Sequence, residues 1–229
     1  MRRVAVLALV ILGCLPGAAA TLTSTFDLGD EGWTAYNLST LLTYPVTQVP
    51  TGGAGNSGYL STEDAANGYH MFRAPASWVG DFWGGSLSFS LRFLDPSNPN
   101  RYPTKPANDP LVRVLGGGLE LWYVGGNNPG LDWTSYVVSL GLPGSWRVRT
   151  GAVLTPASAS DLQTATSNLS GLYILADWAT GHFGSANCPG GCGHDITGLD
   201  DVMLVVPEPG TTALVGAGIL LLLLRKRRA

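Results

Sequence analysis

The sequence is poor in charge and in the residue types on which most catalytic sites depend. Charged residues make up 13% of the 229 positions, and there are only three histidines and three cysteines. The G-x-S-x-G, H-E-x-x-H and phosphate-loop patterns do not occur, so the sequence offers no common catalytic signature, and we expect no enzyme. Residues 21–206 contain seven basic and fifteen acidic residues, a net charge of −8. This balance argues against a nucleic-acid partner, which requires a basic patch.

The N-terminus has the pattern of an export signal. Two arginines open the chain, an apolar run follows from Val4 to Leu15, and the small residues Ala18 and Ala20 stand where a signal peptidase requires them. We therefore predict a signal peptide over residues 1–20. A permanent N-terminal anchor and a lipid-modified Cys14 are the alternatives, and the short apolar run and the poor lipobox disfavour them.

The C-terminus has three parts in a fixed order. Pro207, Glu208 and Pro209 come first, an apolar stretch from Ala213 to Leu224 follows, and Arg225–Arg228 is wholly basic. The apolar stretch has twelve residues, whereas a transmembrane helix usually needs about 20. This arrangement resembles a PEP-CTERM sorting signal, here residues 207–229.

The resemblance implies how this tail is used. A basic cluster stays cytoplasmic and stops export, and the short apolar helix holds the chain in the membrane for a time. The extended Pro-Glu-Pro motif is then open to a processing enzyme, which in this family is an exosortase. The implied route crosses the inner membrane of a Gram-negative-type envelope to the cell surface or an exopolysaccharide matrix. The alternative is a permanent single span extended by snorkelling arginines.

Between the two ends the pattern is that of an all-β domain. The segment Ser86–Phe93 alternates apolar and polar residues, which is the period of a half-buried strand. Further strand candidates are separated by Gly, Pro and Asn clusters: 119–124, 135–140, 146–148, 172–177 and 201–206. Ser160–Gln163 has capping-box form, and Leu162, Ala165, Leu169 and Leu172 follow at helical spacing, which predicts one short helix. The segment Asp95–Pro110 carries five prolines and predicts an exposed loop. Many short strands favour a β-sandwich or jelly roll over residues 21–206.

Several motifs in order resemble the laminin B (laminin type IV) domain in its bacterial form. They include Ala74-Pro75, Gly80-Asp81, Gly84-Gly85 before the alternating strand, and the step Gly116–Leu119. The resemblance extends over roughly Phe26 to Val206. It implies a jelly-roll sandwich, similar to galactose-binding domains, and a role in extracellular assembly or adhesion. The family brings no catalytic residues, so none is assigned here.

Two cysteines remain after the signal peptide, and the exported compartment favours a disulfide between Cys188 and Cys192. The intervening Pro189-Gly190-Gly191 permits the tight bend that so small a loop requires. The spacing with His182 and His194 also matches four zinc ligands, and this reading stays open as the less favoured one.

Carboxylates gather near both ends of the domain. First and last strands of a jelly roll often lie side by side, so Asp27 and Asp201 are our candidates for a structural Ca²⁺ ion. Solvated turn residues explain the same pattern without a metal, and no other cofactor is expected.

Seven tryptophans raise the alternative of a carbohydrate-binding module of the same architecture, with exopolysaccharide as its partner. Trp33, Trp78 and Trp146 fall in motifs of the core. The remaining four are the candidates for stacking on sugars: Trp83, Trp122, Trp133 and Trp178. Trp122 points away from Leu121 in its strand, which predicts an exposed ring. Our preferred function remains an exported, non-enzymatic structural or adhesive protein of the cell surface or biofilm matrix.

Overall fold

A computed structural model describes residues 21–64, 68–102, 104–180 and 194–206. These residues form fourteen strands and one helix. In chain order the strands are β1 Thr21–Ser24, β2 Thr34–Asn37, β3 Thr43–Tyr44, β4 Thr47–Val49, β5 Tyr59–Glu63, β6 His70–Arg73, β7 Ser86–Phe93, β8 Val112–Gly116, β9 Leu119–Tyr123, β10 Thr134–Ser139, β11 Trp146–Thr150, β12 Val153–Pro156, β13 Leu169–Leu175 and β14 Ile196–Val205. The helix α1, Ala159–Thr166, lies between β12 and β13.

Two antiparallel sheets face each other, so the expected β-sandwich is confirmed. The six-stranded sheet has the order β10-β7-β14-β5-β4, with β1 also paired to β14, and the eight-stranded sheet has the order β12-β11-β9-β8-β13-β6-β2-β3. Strand β14 is central, because β7 pairs with one of its edges while β5 and β1 share the other. The ladder of β14 is interrupted at a bulge between Asp200 and Met203, where Asp201 has a φ of 51°.

The alternation of β7 determines which of its side chains enter the core. Leu87, Phe89, Leu91 and Phe93 are at most 1% exposed, whereas the serines between them lie on the outer face of the sheet. The same period holds in β10, where Tyr136 stacks on Phe89 with ring centroids 5.2 Å apart. Trp33, Trp78 and Trp146 are also buried, as the sequence predicted.

The helix forms near its predicted position, but it ends before the last two apolar residues that the sequence pattern assigned to it. Its N-cap is Ser158, which accepts a hydrogen bond from the Asp161 N–H while the Asp161 carboxylate accepts one from the Ser158 N–H. Leu162 and Ala165 are buried as expected, whereas Leu169 and Leu172 belong to β13. The capping box therefore begins two residues earlier than the sequence suggested, because Asp161 rather than Gln163 completes it.

The C-terminal apolar helix predicted at Ala213–Leu224 and the signal peptide at 1–20 lie outside the described residues. Within the described ranges, no helix has both the length and the hydrophobicity that crossing a bilayer requires.

Candidate functional site

An aromatic pair lies on the outer face of the six-stranded sheet. Tyr59 in β5 and Trp133, which directly precedes β10, meet edge to face with ring centroids 5.3 Å apart. Both side chains are half-buried. The Trp133 indole packs on the surface of β14 at Gly198. A Cβ added to Gly198 would lie 2.9 Å from the ring. The absence of a side chain at residue 198 thus allows the ring to lie against the strand.

The loop between β4 and β5 is attached to this aromatic pair and to β14. The Trp133 Nε1–H donates to the carbonyl of Gly52 at 2.9 Å. Asp200, at the bulge of β14, accepts from the Ala54 N–H at 2.7 Å and from the Ser57 hydroxyl at 2.6 Å. Burial raises the pKa of the Asp200 carboxyl above its ordinary value, although these hydrogen bonds oppose the shift. The loop is therefore fixed beside the aromatic pair.

A shallow groove lined by apolar side chains and by hydroxyl groups lies further along the same face. It has a volume of about 380 Å³, and its walls include hydroxyl side chains of β1, β7 and β10: Thr23, Ser88, Ser90 and Ser135. Val137 and Met203 border it and are 72% and 40% exposed. Hydroxyls beside apolar and aromatic surface are the groups that bind a sugar ring.

Two of the four candidate tryptophans are not available for stacking. The prediction that Trp122 is exposed is wrong, because the residue is only 4% exposed. Its ring packs edge to face on Tyr69, the Arg149 guanidinium lies 4.5 Å from its centroid, and its Nε1–H donates to Glu120 at 2.7 Å. Trp178 is fully buried in the core.

Trp83 is half-buried and packs against the core. It precedes β7 and so lies at the opposite end of this strand from Trp133, whose neighbour Thr134 pairs with Leu91. Trp83 and Trp133 therefore do not share one platform.

The two carboxylates predicted to hold calcium have different environments. The Asp27 Oδ1 accepts from the Gly58 N–H at 3.0 Å. Asp201 is exposed at the bulge of β14 and borders the shallow groove. Calcium binding by this pair stays a prediction.

A different set of carboxylates has the spacing of a metal site. Asp64, Asp177 and Asp195 each place one carboxylate oxygen so that all three lie within 4.8 Å of one another. Asp64 follows β5, Asp177 lies two residues after β13, and Asp195 directly precedes β14. The acidic cluster, as we call these three residues, therefore joins strand ends of both sheets at one end of the sandwich.

Burial shapes the electrostatics of the acidic cluster. Burial raises the pKa of the Asp195 carboxyl to about 7, against the effect of the Trp178 and Ala179 N–H groups that donate to it. Burial, followed by the charges of Asp195 and Asp64, raises the pKa of Asp177 well above its usual range. Burial also lowers the pKa of His70 to about 4, so that this neighbour of Asp64 is neutral at pH 7.

Sequence reasoning missed the acidic cluster because its members are far apart along the chain. Residues 64 and 195 come together through the antiparallel pairing of β5 with β14, which extends to a hydrogen bond from the Asp64 N–H to the Asp195 carbonyl at 2.9 Å. The available signal was an aspartate within two residues of a strand end in three separate segments.

The cysteine predictions lie outside the described residues. Cys188, Cys192 and His182 belong to the segment 181–193. His194 is described, and its Nδ1 lies 2.5 Å from the Glu63 Oε1 on the outer face of β5.

Comparisons with known proteins bear on the tail and the fold separately. The model of the PEP-CTERM protein-sorting motif matches residues 205–228. No curated protein matches the sequence at a significant level. The structure is similar to the L4b domain of human laminin alpha-2, with a TM-score of 0.61 and 11% identity, over 83% of this chain and 100% of that one.

Weaker similarities concern two bacterial domains. One is the family 11 carbohydrate-binding module of the cellulase Lic26A-Cel5E of Clostridium thermocellum (12% identity, 86% of this chain, 91% of that chain, TM-score 0.42). The other is the K3 adhesin domain of Lys-gingipain from Porphyromonas gingivalis (12% identity, 82% of this chain, 99% of that chain, TM-score 0.41). Both TM-scores are lower than that of the laminin domain. The chain carries a PEP-CTERM sorting motif at its C-terminus and has the β-sandwich fold of a laminin L4b domain.

Proposed function

We propose that this is an exported structural or adhesive protein that is sorted and cleaved at its C-terminal tail. Its destination is the cell surface or an exopolysaccharide matrix, and its β-sandwich acts there without catalysis. The observation that carries the proposal is the sorting motif at residues 205–228, which begins at the last residue of β14. The processing partner is an exosortase-type enzyme.

The position of the tail suits removal. Val205 is paired with Thr21 of β1 and with Ser86 of β7, so the last strand is held on both edges up to the point where the tail begins. Cleavage near Pro207–Pro209 removes no residue of the described core. The sandwich is therefore expected to keep its stability after processing.

The length of the apolar stretch also favours processing over permanent anchoring. Twelve residues at a rise of about 1.5 Å extend over about 18 Å, whereas the hydrocarbon core is about 30 Å thick. Such a helix holds the chain only with strain in the surrounding bilayer, which suits a temporary stop.

A variant in the motif tests the sorting step. Replacing Pro207, Glu208 and Pro209 together by Ala is expected to leave a longer, membrane-retained form in the native producer. The matched control replaces Thr211 and Thr212 by Ala, which leaves the motif and the basic cluster intact. Normal release of the triple variant at the size of the wild type would refute recognition of this motif.

The second candidate function is carbohydrate binding on the outer face of the six-stranded sheet. The half-buried pair of Trp133 and Tyr59 favours this function, and so does the neighbouring shallow groove with its hydroxyl groups. Affinity electrophoresis in a gel that contains the producer's own polysaccharide tests the idea. Trp133→Ala should lose retention because a stacking face is removed, whereas Trp83→Ala, at the far end of β7, should keep it. Equal migration of the wild type with and without polysaccharide would exclude this function and leave the matrix role intact.

A further inference from the structure

We propose that Asp64, Asp177 and Asp195 bind one hard divalent cation, with Ca²⁺ as the best fit, at the end of the sandwich where strand ends of both sheets meet. Their ligand oxygens lie within 4.8 Å of one another. Oxygens on opposite sides of a Ca²⁺ ion are about 4.6–5.2 Å apart, because Ca–O bonds are about 2.3–2.6 Å long. The three carboxylates are thus spaced to share one ion.

A second observation, separate from the spacing of the carboxylates, is the hydrogen bonding of Asp195. This residue is 1% exposed, and its Oδ2 accepts from the Trp178 and Ala179 N–H groups at 2.9 Å each. Its Oδ1 is buried and accepts no hydrogen bond from an N–H or hydroxyl group of the described residues, while the carboxyl of Asp177 lies within hydrogen-bonding distance of the Asp195 side chain. A buried carboxylate oxygen without a donor is strongly unfavourable, and a cation would satisfy it.

The described residues supply little positive charge beside Asp177 and Asp195. Among the described residues, no lysine or arginine forms an ion pair with Asp177 or Asp195. The internal segments 65–67 and 181–193 contain no lysine or arginine in their sequence. Asp177 and Asp195 can be ionised together at this depth only if a cation lies beside them, and a bound metal ion would supply that charge.

A neighbouring cavity leaves space for water to complete the coordination. It has a volume of about 390 Å³ and is lined in part by Asp64 and Asp177, with Tyr69, Tyr102 and Asp109 on its other walls. Calcium takes about six to eight oxygen ligands and accepts waters among them. An ion at this place would tie β5 and β14 of one sheet to β13 of the other, which makes its role structural.

Metal titration of the purified mature protein tests the site. After treatment with EDTA and removal of the chelator, Ca²⁺ is added and thermal unfolding and isothermal titration calorimetry are recorded. We expect one ion per chain, and a rise in Tm of about 5–10 °C at a hundredfold excess of Ca²⁺ over Kd. Mg²⁺ at the same concentration is expected to have a smaller effect, because it demands shorter bonds.

Four variants assign the binding. Asp177→Asn and Asp195→Asn should each weaken Ca²⁺ binding at least tenfold, whereas the exposed Asp132→Asn should bind like the wild type. Terbium luminescence sensitised by the nearby Trp178 provides a second readout for any variant that unfolds early. Loss of binding in Asp201→Asn with binding retained in Asp177→Asn would overturn the assignment. No calcium binding by the wild type would overturn it too, and would leave Asp177 and Asp195 as a proton-sharing pair.

Discussion

Replacement of Trp122 by Ala is expected to destabilise the protein far more than the same change at Trp133. Trp122 is 4% exposed, donates to Glu120 and lies under the Arg149 guanidinium. Removal of a buried aromatic side chain costs about 3–5 kcal/mol, and the lost hydrogen bond and cation–π contact act in the same direction without simple additivity. We therefore expect about 4 kcal/mol, a large part of the ordinary stability of about 5–15 kcal/mol.

Urea denaturation followed by circular dichroism measures this difference. Trp133 is half-buried and its indole donates only to the Gly52 carbonyl, so Trp133→Ala is expected to cost about 1–2 kcal/mol. Trp122→Phe should fall between the two, because it keeps most of the ring and loses the hydrogen bond to Glu120. A cost below about 1 kcal/mol for Trp122→Ala, at an unchanged m-value, would refute the packing of Trp122 against Tyr69 and Arg149.

Two further predictions concern a buried histidine and a close contact. Burial lowers the pKa of His70 from 6.5 to about 4, so the folded state resists a proton that the unfolded chain accepts. His70 then contributes stability that is present above pH 6.5 and lost as the pH falls towards 4. The wild type should lose about 3 kcal/mol more than His70→Gln over this range in pH-dependent urea titrations, and parallel curves would contradict the shift. Gly198→Ala should displace the Trp133 indole, whose Cη2 would lie 2.9 Å from the new Cβ. A loss of about 1–2 kcal/mol and a changed tryptophan emission are expected, whereas an unchanged spectrum would show that the ring does not lie on Gly198.

The all-β fold was predictable because its signals are local. The alternation in Ser86–Phe93 specifies both a strand and its buried face within eight residues, and the structure has this strand with the same bounds. The capping box beside Leu162 likewise marked the helix, although the choice of Asp161 as its partner moved the start to Ser158. Such features depend only on residues that are close together in the sequence, so the sequence alone reveals them.

Trp122 shows what alternation alone does not reveal. The period of β9 places Trp122 on the face opposite Leu121, and this was predicted correctly. Whether that face is covered depends on Tyr69, which precedes β6, and on Arg149 in β11. Those contacts arise from strand order and from long side chains that cover the sheet, which the spacing of one strand does not encode.

The acidic cluster was missed for a related reason. Its three aspartates are separated by more than a hundred residues between first and last, and only the pairing of β5 with β14 and the meeting of the two sheets bring them together. The sequence instead suggested Asp27 and Asp201, because first and last strands were expected to be neighbours. That pairing does occur between β1 and β14, and calcium binding by Asp27 and Asp201 stays a prediction.

The central claim, an exported protein processed at its tail, is tested most directly by intact-mass analysis of the native protein recovered from the cell surface or the medium. The mass should correspond to a chain that ends near Pro207–Pro209 and lacks the apolar stretch and Arg225–Arg228. A surface-located form that still carries Leu221–Ala229 would contradict the account.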